Sequence, residues 1–416
     1  MSYKQLTIGQ LARDSAADIQ TGPFGTQLKA SDYSADGVPV INVRNIGYGD
    51  LRPDKLEFVP EATAERLSVH VLSEGDIVFG RKGAVDRHLF VANGHAGWMQ
   101  GSDCIRLRLD PQLINPRFVS YAFLRSYHRE WMLQQCGNKA TMASLNQDVI
   151  RRIVLPFPQR DQQDEIVSIL SAYDDLIGNN RRRIALLEEA AEMLYREWFV
   201  HFRFPGHEHV KITDGIPEGW AVQPVAEVCR TYDDGDWLET KDQGGSDYRI
   251  LQISNIGEHC FVETGNWRHI TEETFRRLNC HDILPGDILI SRMPRPIGRG
   301  WMVSEMPFKM VTAVDVTIAR ADVAKVDPFF LLYHINSEQN IARCEANATG
   351  ATRPRVSRRN MGRLPVLLPA TYLQRQFAEF ASANIVLREN LFAQSQKLAQ
   401  ARDLLLPRLM NGEIAV

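Results

Sequence analysis

Four short segments gather the side chains best suited to chemistry. Arg81, Lys82 and Arg87 lie in GRKGAVDRH, and Arg292, Arg295 and Arg299 in SRMPRPIGRG. GNKATMASLN carries Lys139, Thr141, Ser144 and Asn146, while GATRPRVSRRNMGR carries Arg353, Arg355, Arg358, Arg359 and Arg363. Arg and Lys on Gly-rich turns beside Ser, Thr and Asn suit phosphate neutralisation combined with hydrogen bonding to base edges. Arg44 and Asn45 of INVRNIG and Asn255 of LQISNIG extend the set. A single such cluster is more often a solvated surface; its recurrence at matched places in both halves of the chain turns the reading toward nucleic-acid binding.

Some of these cations have a structural alternative. Arg81 and Arg292 directly follow apolar runs and could pair with Asp76 or Asp287. Arg181, Arg182 and Arg183 sit in an acid-rich helical stretch and read as a solvated or ion-paired face. Arg151 and Arg152 suit either role. Asp233, Asp234, Asp236 and Glu239 beside Gly235 read as a solvated acidic loop rather than a metal site.

The catalytic motifs expected of an enzyme of this size are missing. There is no G-x-x-x-x-G-K-[ST] loop for a nucleotide phosphate and no H-E-x-x-H or H-x-E with P-C-x-x-C for zinc chemistry. The Asn/Asp-Pro-Pro-aromatic motif of an amino-methyltransferase is absent too, since the chain has no Pro-Pro dipeptide. No nucleophile, base and orienting group stand at a local spacing, and no resident cofactor or metal is expected.

Composition sets the frame. The 416 residues exceed what one hydrophobic core serves, so two or more domains are expected. With 44% hydrophobic and 24% charged residues, the chain reads as ordinary globular protein. No apolar run approaches the roughly 18 residues of a membrane span, and the opening MSYKQLTIGQ lacks a signal-peptide core, so a cytosolic location is expected. The 6 cysteines lie far apart without a C-x-x-C pair and read as reduced and mostly buried. A net charge of −3 does not exclude a nucleic-acid partner, because affinity depends on where the basic groups lie.

The elements that must position these loops come as a repeat. SEGDIVFGRKG and LPGDILISRMP share G-D-I, an apolar pair and an Arg, with Gly286 lying 211 positions after Gly75. At the same separation Arg81 falls on Arg292, Pro158 on Pro369, Gln163 on Gln374, Leu187 on Leu398 and Leu194 on Leu405. INVRNIG and LQISNIG match one residue out of step. Each half thus reads as a strand-rich mixed domain followed by a long helix.

In the stretch 162–198 a heptad seam runs through Ile166, Leu170, Tyr173, Ile177, Asn180, Ile184, Leu187, Ala191, Leu194 and Trp198, broken only by the polar Asn180. Its phase holds across Gly178, Asn179 and Asn180, so one continuous helix is expected rather than two joined by a turn. Phe377, Phe380, Asn384, Leu387, Leu391, Gln394, Leu398, Ala401 and Leu405 read as the second seam. A duplicated unit pairing with its own copy favours a two-fold arrangement, hence an antiparallel coiled coil. Facing positions should then total about 575: Ile184 opposite Leu391, Ile177 opposite Leu398, Leu170 opposite Leu405, Trp198 opposite Phe377, and Asn180 near Gln394.

The order of TGPFGTQLKASDY, G-V-P-V-I-x-x-x-N-I-G, G-D-I-V-F-x-R-K-G, L-P-F-P-x-x-x-x-Q, W-F-V-x-F-R-F-P-G and the terminal L-L-x-x-L-M-N-G-E-I resembles the specificity subunit of type I restriction-modification systems. The likeness spans essentially the whole chain, including the duplication. It implies an α+β fold with two target recognition domains, each reading one half of an asymmetric bipartite site on double-stranded DNA, and two helices setting the unread gap. It also implies a non-catalytic chain that docks two methyltransferase subunits and, through them, the endonuclease and translocase subunits of a prokaryotic cytoplasmic complex. S-adenosylmethionine, ATP and Mg would belong to those partners. Met293 stands at the Lys82 position, so a contact made by Lys82 does not carry over to the second half.

The expected layout is a first recognition domain over 1–158, a central helix over 159–199, a second domain over 200–369 entered by a linker at 200–219, and a C-terminal helix and tail over 370–416. Two rival functions remain at this level: a duplicated coiled-coil scaffold joining protein partners without reading DNA, and a DNA methyltransferase or nuclease in its own right. The second predicts S-adenosylmethionine binding or metal-dependent cleavage by the isolated chain.

Overall fold

A computed structural model describes residues 3–137 and 143–416, and Lys139 and Thr141 lie outside the described residues. The chain forms two compact units, Met1–Asn180 with Ala393–Val416, and Arg181–Phe392. In the first, a five-stranded sheet runs Ala17–Thr21, Cys104–Leu109, Ile77–Gly80, His88–Phe90, Tyr48–Gly49. In the second, a four-stranded sheet runs Cys229–Asp234, Val316–Ala321, Ile288–Ser291, Gly300–Met302. Apart from the short fifth strand, order and pairing sense are the same. Each unit adds a three-stranded sheet with one antiparallel and one parallel pairing: Val38–Ile41 lies between Glu57–Val59 and Met99–Gln100, and Tyr248–Leu251 lies between His269–Ile270 and Lys309–Thr312.

The shared G-D-I motif has a physical basis. Gly75 and Gly286 turn into the central strand at φ of 85° and 91°, a left-handed conformation that favours glycine. The next residue folds back: an Asp76 carboxylate oxygen accepts from the Ser73 N–H at 2.7 Å, and one of Asp287 from the Leu284 N–H at 2.8 Å. Each buried carboxylate also takes two bonds from an arginine on the neighbouring strand, Arg108 at 2.7 and 2.6 Å and Arg320 at 2.6 and 2.8 Å. Bidentate pairing leaves neither buried charge uncompensated. These partners replace the alternative in which Arg81 and Arg292 neutralise the two aspartates.

The strands then run straight into the core, because Ile77–Gly80 and Ile288–Ser291 are buried throughout. Helices Pro116–Leu124 and Pro328–Asn336 cover them. Each starts with Pro, which lacks the N–H a first turn cannot use, behind a capping Asn115 or Asp327 whose side chain accepts from the following N–H groups.

The two long helices are Arg160–Tyr195 and Thr371–Met410, and the first is continuous through Gly178. Near their starts Gln163 and Gln374, both buried, do the same work. The Gln163 side chain accepts from the Asn115 N–H at 2.9 Å and donates to the Pro158 carbonyl at 3.1 Å. The Gln374 side chain accepts from the Asp327 N–H at 2.9 Å and donates to the Pro369 carbonyl at 2.8 Å. Domain and helix are thereby locked together in each half by one matched residue.

The helices pack antiparallel within each unit. In the first, Ile166 and Leu170 share a core with Leu406, Leu409 and Met410. In the second, Ala191, Tyr195 and Phe199 share one with Leu373, Phe377 and Ala381. Asp174 pairs with Arg402 at 2.6 Å and Glu188 with Arg388 at 3.5 Å, and the position numbers total 576 in both, one from the value the two-fold register expects.

The second seam needs correction. Phe380 is 40% exposed, Leu387 38% exposed, and Gln394 is exposed too, whereas Ala381 and Arg388 are buried. The steps run four then three from Phe377, through Ala381, Asn384, Arg388 and Leu391, so a small residue and an arginine occupy places that apolarity alone assigned to Phe380 and Leu387. Gln394 is consequently no seam partner for Asn180. At the end of the central helix Leu194 and Trp198 are half-buried, while Tyr195 and Phe199 take the core positions. The chain widens there into a π turn over Arg196–Val200, which accommodates spacing by fours from Ala191. Of the other seam residues, Ile166, Leu170, Ile177, Asn180, Phe377 and Leu391 are buried, and Tyr173, Ile184, Leu187, Leu398 and Leu405 half-buried. Among the described residues no helix is long and apolar enough to cross a membrane.

Candidate nucleic-acid interface

In each unit three loops meet at the end of the central sheet strand. In the first, the Arg81 N–H donates to the Asp103 carbonyl at 2.7 Å, and the Arg81 carbonyl accepts from the Leu145 N–H at 2.8 Å. In the second, the Arg292 N–H donates to the Asp315 carbonyl at 3.0 Å, and the Arg292 carbonyl accepts from the Val356 N–H at 3.3 Å. Helix caps hold the third loop in both: the Asn146 side chain accepts from the Val149 N–H at 2.9 Å, and that of Ser357 from the Asn360 N–H at 3.1 Å. Backbone geometry is therefore common to the two clusters.

The side chains on that frame differ. Lys82 extends to Asp103 at 3.2 Å and stays half exposed. The Arg81 guanidinium lies 5.1 Å from the Phe24 ring centre, and that of Arg87 lies 5.3 Å from Tyr48. Arg129 approaches Tyr48 at 4.1 Å, so one exposed tyrosine gathers two guanidinium groups. Arg44 is exposed and pairs with Glu57 at 2.7 Å, and Ser144 is exposed beside Lys82.

In the second unit several arginines turn inward. Arg292 is only 3% exposed, ion-paired to Asp234 at 3.2 Å and Asp315 at 3.6 Å and donating to the Val314 carbonyl. Burial pulls its pKa below the usual guanidinium value, opposed by Asp234. Arg299 is 9% exposed and donates to the carbonyls of Ile256 at 2.6 Å, Pro294 at 2.7 Å, Ile253 at 2.9 Å and Pro296 at 3.0 Å. It is an internal strut that satisfies a loop whose prolines supply no N–H donors. Arg358 donates to the Tyr232 carbonyl at 2.6 Å and to Asp233 at 2.9 Å, with Asp234 at 3.4 Å. Arg355 pairs with Asp315 at 3.0 Å, and Arg295 reaches Glu345 at 3.6 Å while remaining largely exposed. Arg353 and Arg359 are exposed.

Two corrections follow. Asn45 and Asn255 are buried turn-formers: their side-chain oxygens accept from the N–H groups of Asn42 at 3.1 Å and Gln252 at 2.9 Å, and their amides donate to the carbonyls of Arg52 at 3.0 Å and Val262 at 3.0 Å. Neither offers a free edge to a ligand. The acidic loop is paired rather than simply solvated. Asp233 and Asp234 hold Arg358 and Arg292, Asp236 accepts from His281 at 2.8 Å, and Glu239 holds Lys241 at 2.7 Å. Among the described residues no group of three or more His, Cys, Asp or Glu could hold a metal ion.

The side chains passed over by the sequence reading are aromatic: Phe24, Tyr48 and Trp237. Their signal was a large ring beside Gly or Asp in a turn, a context that reads as core until its exposure is seen.

The shared frame with divergent side chains is matched by resemblance to known proteins. Residues 23–189 match the family model described as the type I restriction modification DNA specificity domain. The chain is 19% identical over 428 residues to the type I restriction enzyme MjaIX specificity subunit of Methanocaldococcus jannaschii, covering 100% of this chain and 96% of that protein. It is 22% identical over 354 residues to the MjaVIII specificity subunit of the same organism, covering 83% and 80% of the two chains. The crystal structure of the type I restriction-modification S subunit from M. genitalium superposes with a TM-score of 0.60 at 14% identity, over 99% of this chain and 96% of that one, which establishes a common fold. With its duplicated domains, its two long helices packed antiparallel within each unit and relatives spanning its full length, the chain is similar throughout to type I restriction-modification specificity subunits, and residues 23–189 carry the match to their DNA specificity domain.

Proposed function

We propose that each unit reads one half of an asymmetric, bipartite sequence on double-stranded DNA, and that the paired helices set the gap between the halves. The observation that carries this reading is the constant backbone frame with exchanged side chains. Lys82 is replaced by Met293, Ser144 by Arg355 and Asn146 by Ser357 at matched positions, and the partly exposed Arg87 corresponds by strand pairing to the inward-turned Arg299. Two copies of one frame bearing different surface chemistry are what two different half-sites require. Phosphate contacts from Arg81, Lys82 and Arg87 in the first unit, and from Arg295, Arg353, Arg355 and Arg359 in the second, position the domains, while shorter polar side chains read base edges. The buried Asn45, Asn255, Arg292 and Arg299 support these loops from within.

The chain acts as the non-catalytic specificity element of a complex. Two adenine-N6 methyltransferase subunits dock on it and recruit the endonuclease and translocase subunits, with S-adenosylmethionine, ATP and Mg bound by those partners. The test is genome-wide mapping of methylated adenines in cells with and without this chain. A bipartite motif that depends on the chain is expected. A methylome indifferent to it, together with no preference for duplex DNA by the chain and its methyltransferase partner, would leave the scaffold reading instead.

A further inference from the structure

Each unit exposes one large aromatic ring at the same point of its loop cluster. Phe24 is 54% exposed and Trp237 is 71% exposed. Both stand two residues after a glycine that leaves the outer strand of the main sheet, Gly22 after Ala17–Thr21 and Gly235 after Cys229–Asp234. The Gly22 N–H donates to the Cys104 carbonyl at 2.9 Å and that of Gly235 to the Val316 carbonyl at 2.7 Å. A Cβ on either glycine would lie 2.0 Å from the Gly101 carbonyl oxygen or 2.3 Å from that of Ala313, so the backbone is pinned by close approach in both. The ring that follows is therefore held in place while facing solvent.

A lone exposed aromatic is ordinary on a protein surface. Two at matched positions of a duplicated frame are not explained by packing, since burying such rings would stabilise the fold and the frame does not bury them. The type changes from Phe to Trp while the aromatic face is kept. The surroundings also fit one partner. Phe24 has the Arg81 guanidinium over it, with Lys82 following Arg81 in sequence, whereas the Trp237 indole N–H donates to Glu239 at 3.3 Å and leaves its ring face open. A ring beside a cation, as at Phe24, suits nucleic acid, whose phosphates meet the cation while its bases meet the ring.

We infer that Phe24 and Trp237 are base-contacting residues, each packing its ring against the bases of its own half-site. The inference rests on the DNA-reading function proposed above and adds the residues that engage base faces rather than edges or phosphates.

The test uses the complex of the full chain with its methyltransferase partner and a duplex bearing the motif found by methylome mapping. Phe24→Ala is expected to weaken binding roughly tenfold and to reduce discrimination against base changes in the first half-site only. The slope of log affinity against log salt stays unchanged, because no charge is removed. Phe24→Trp restores both affinity and discrimination. Trp237→Ala and Trp237→Phe do the same for the second half-site. Wild-type affinity and discrimination in both Ala variants would overturn the inference while leaving DNA reading intact. So would loss of methyltransferase association with unaltered DNA affinity of the complexes that still form, which would make the rings a protein contact. A wild-type complex that binds the mapped duplex no better than a random one would instead remove the DNA-reading function itself, and this inference with it.

Discussion

Asp174 on the central helix accepts a 2.6 Å bond from Arg402 on the C-terminal helix, and the same carboxylate takes the Tyr121 hydroxyl at 2.5 Å and Arg117 at 3.3 Å. One half-buried charge thus joins both long helices to the helix Pro116–Leu124 that covers the main sheet of the first unit. Asp174→Ala is expected to destabilise that unit by about 2 kcal/mol, and Arg402→Ala by about 1 kcal/mol. A double-mutant cycle in urea should give a coupling near 1 kcal/mol; strict additivity would mean that the bond contributes nothing to the pairing of the helices.

Arg299 and Arg295 stand four residues apart in one loop and should behave as opposites. Arg299→Ala strips four carbonyls of their donor and is expected to cost roughly 3 to 5 kcal/mol. Arg295 is 70% exposed with one long contact to Glu345, so Arg295→Ala should change stability by less than about 0.5 kcal/mol. Thermal unfolding of the two variants separates these roles, and equal midpoints would contradict the inward strut.

This contrast shows what the sequence could and could not reveal. The duplication, the long helices and their antiparallel register were legible because apolar periodicity and repeated motifs such as G-D-I are written along the chain. The direction of an arginine in a loop was not, because its donors serve a phosphate or a set of carbonyls equally well. Arg388 misled for a related reason. It occupies a seam position, bonded to the His259 carbonyl and 3.5 Å from Glu188, where hydrophobicity favoured its neighbour Leu387. Asn45 and Asn255 were visible as a repeated N-I-G, but only the fold shows that the repeat preserves a turn. Phe24 and Trp237 were hidden by the rule that aromatic rings fill cores.

Acid should weaken the fold before its carboxylates are protonated. His88 and His128 in the first unit, and His259 and His334 in the second, are pushed down to about 3, mainly by burial, and His88 further by His128 and Arg117. Their unfolded pKa is near 6.5. Between pH 3 and 6.5 the unfolded chain therefore binds more protons, and stability falls as pH falls through that window. Each histidine should remove about 1.4 kcal/mol by pH 5.5. Glu188 and Glu192, raised mainly by burial, act in the opposite sense in the second unit. The urea midpoint should be level above pH 7 and decline from pH 6.5 to 5, whereas a level profile over that range would place these imidazoles in water.

Lys82 and Arg87 are the cations of the first unit best placed to meet phosphates, since Lys82 is half exposed and Arg87 stacks on an exposed tyrosine. Removing both by Lys82→Ala with Arg87→Ala should weaken DNA binding by the assembled complex. The salt slope should become shallower by about 2, one phosphate contact for each charge. Sequence preference at the second half-site should be little changed. Unaltered affinity across a salt series would take both residues off the interface.

The helices offer the most direct test of how the gap is set. Deleting one heptad from each, at facing positions, preserves the seam phase and the antiparallel register and shortens the paired segment by about 10 Å. With base pairs stacked roughly 3.4 Å apart, that shift corresponds to about three base pairs. Cells carrying the shortened chain should methylate the same two half-sites separated by a gap about three base pairs smaller. Deleting a heptad from only one helix breaks the register and should abolish the modification. An unchanged methylated sequence in the doubly shortened chain would mean that the gap is set elsewhere, and the helices would then serve only to hold the two units and their partners together.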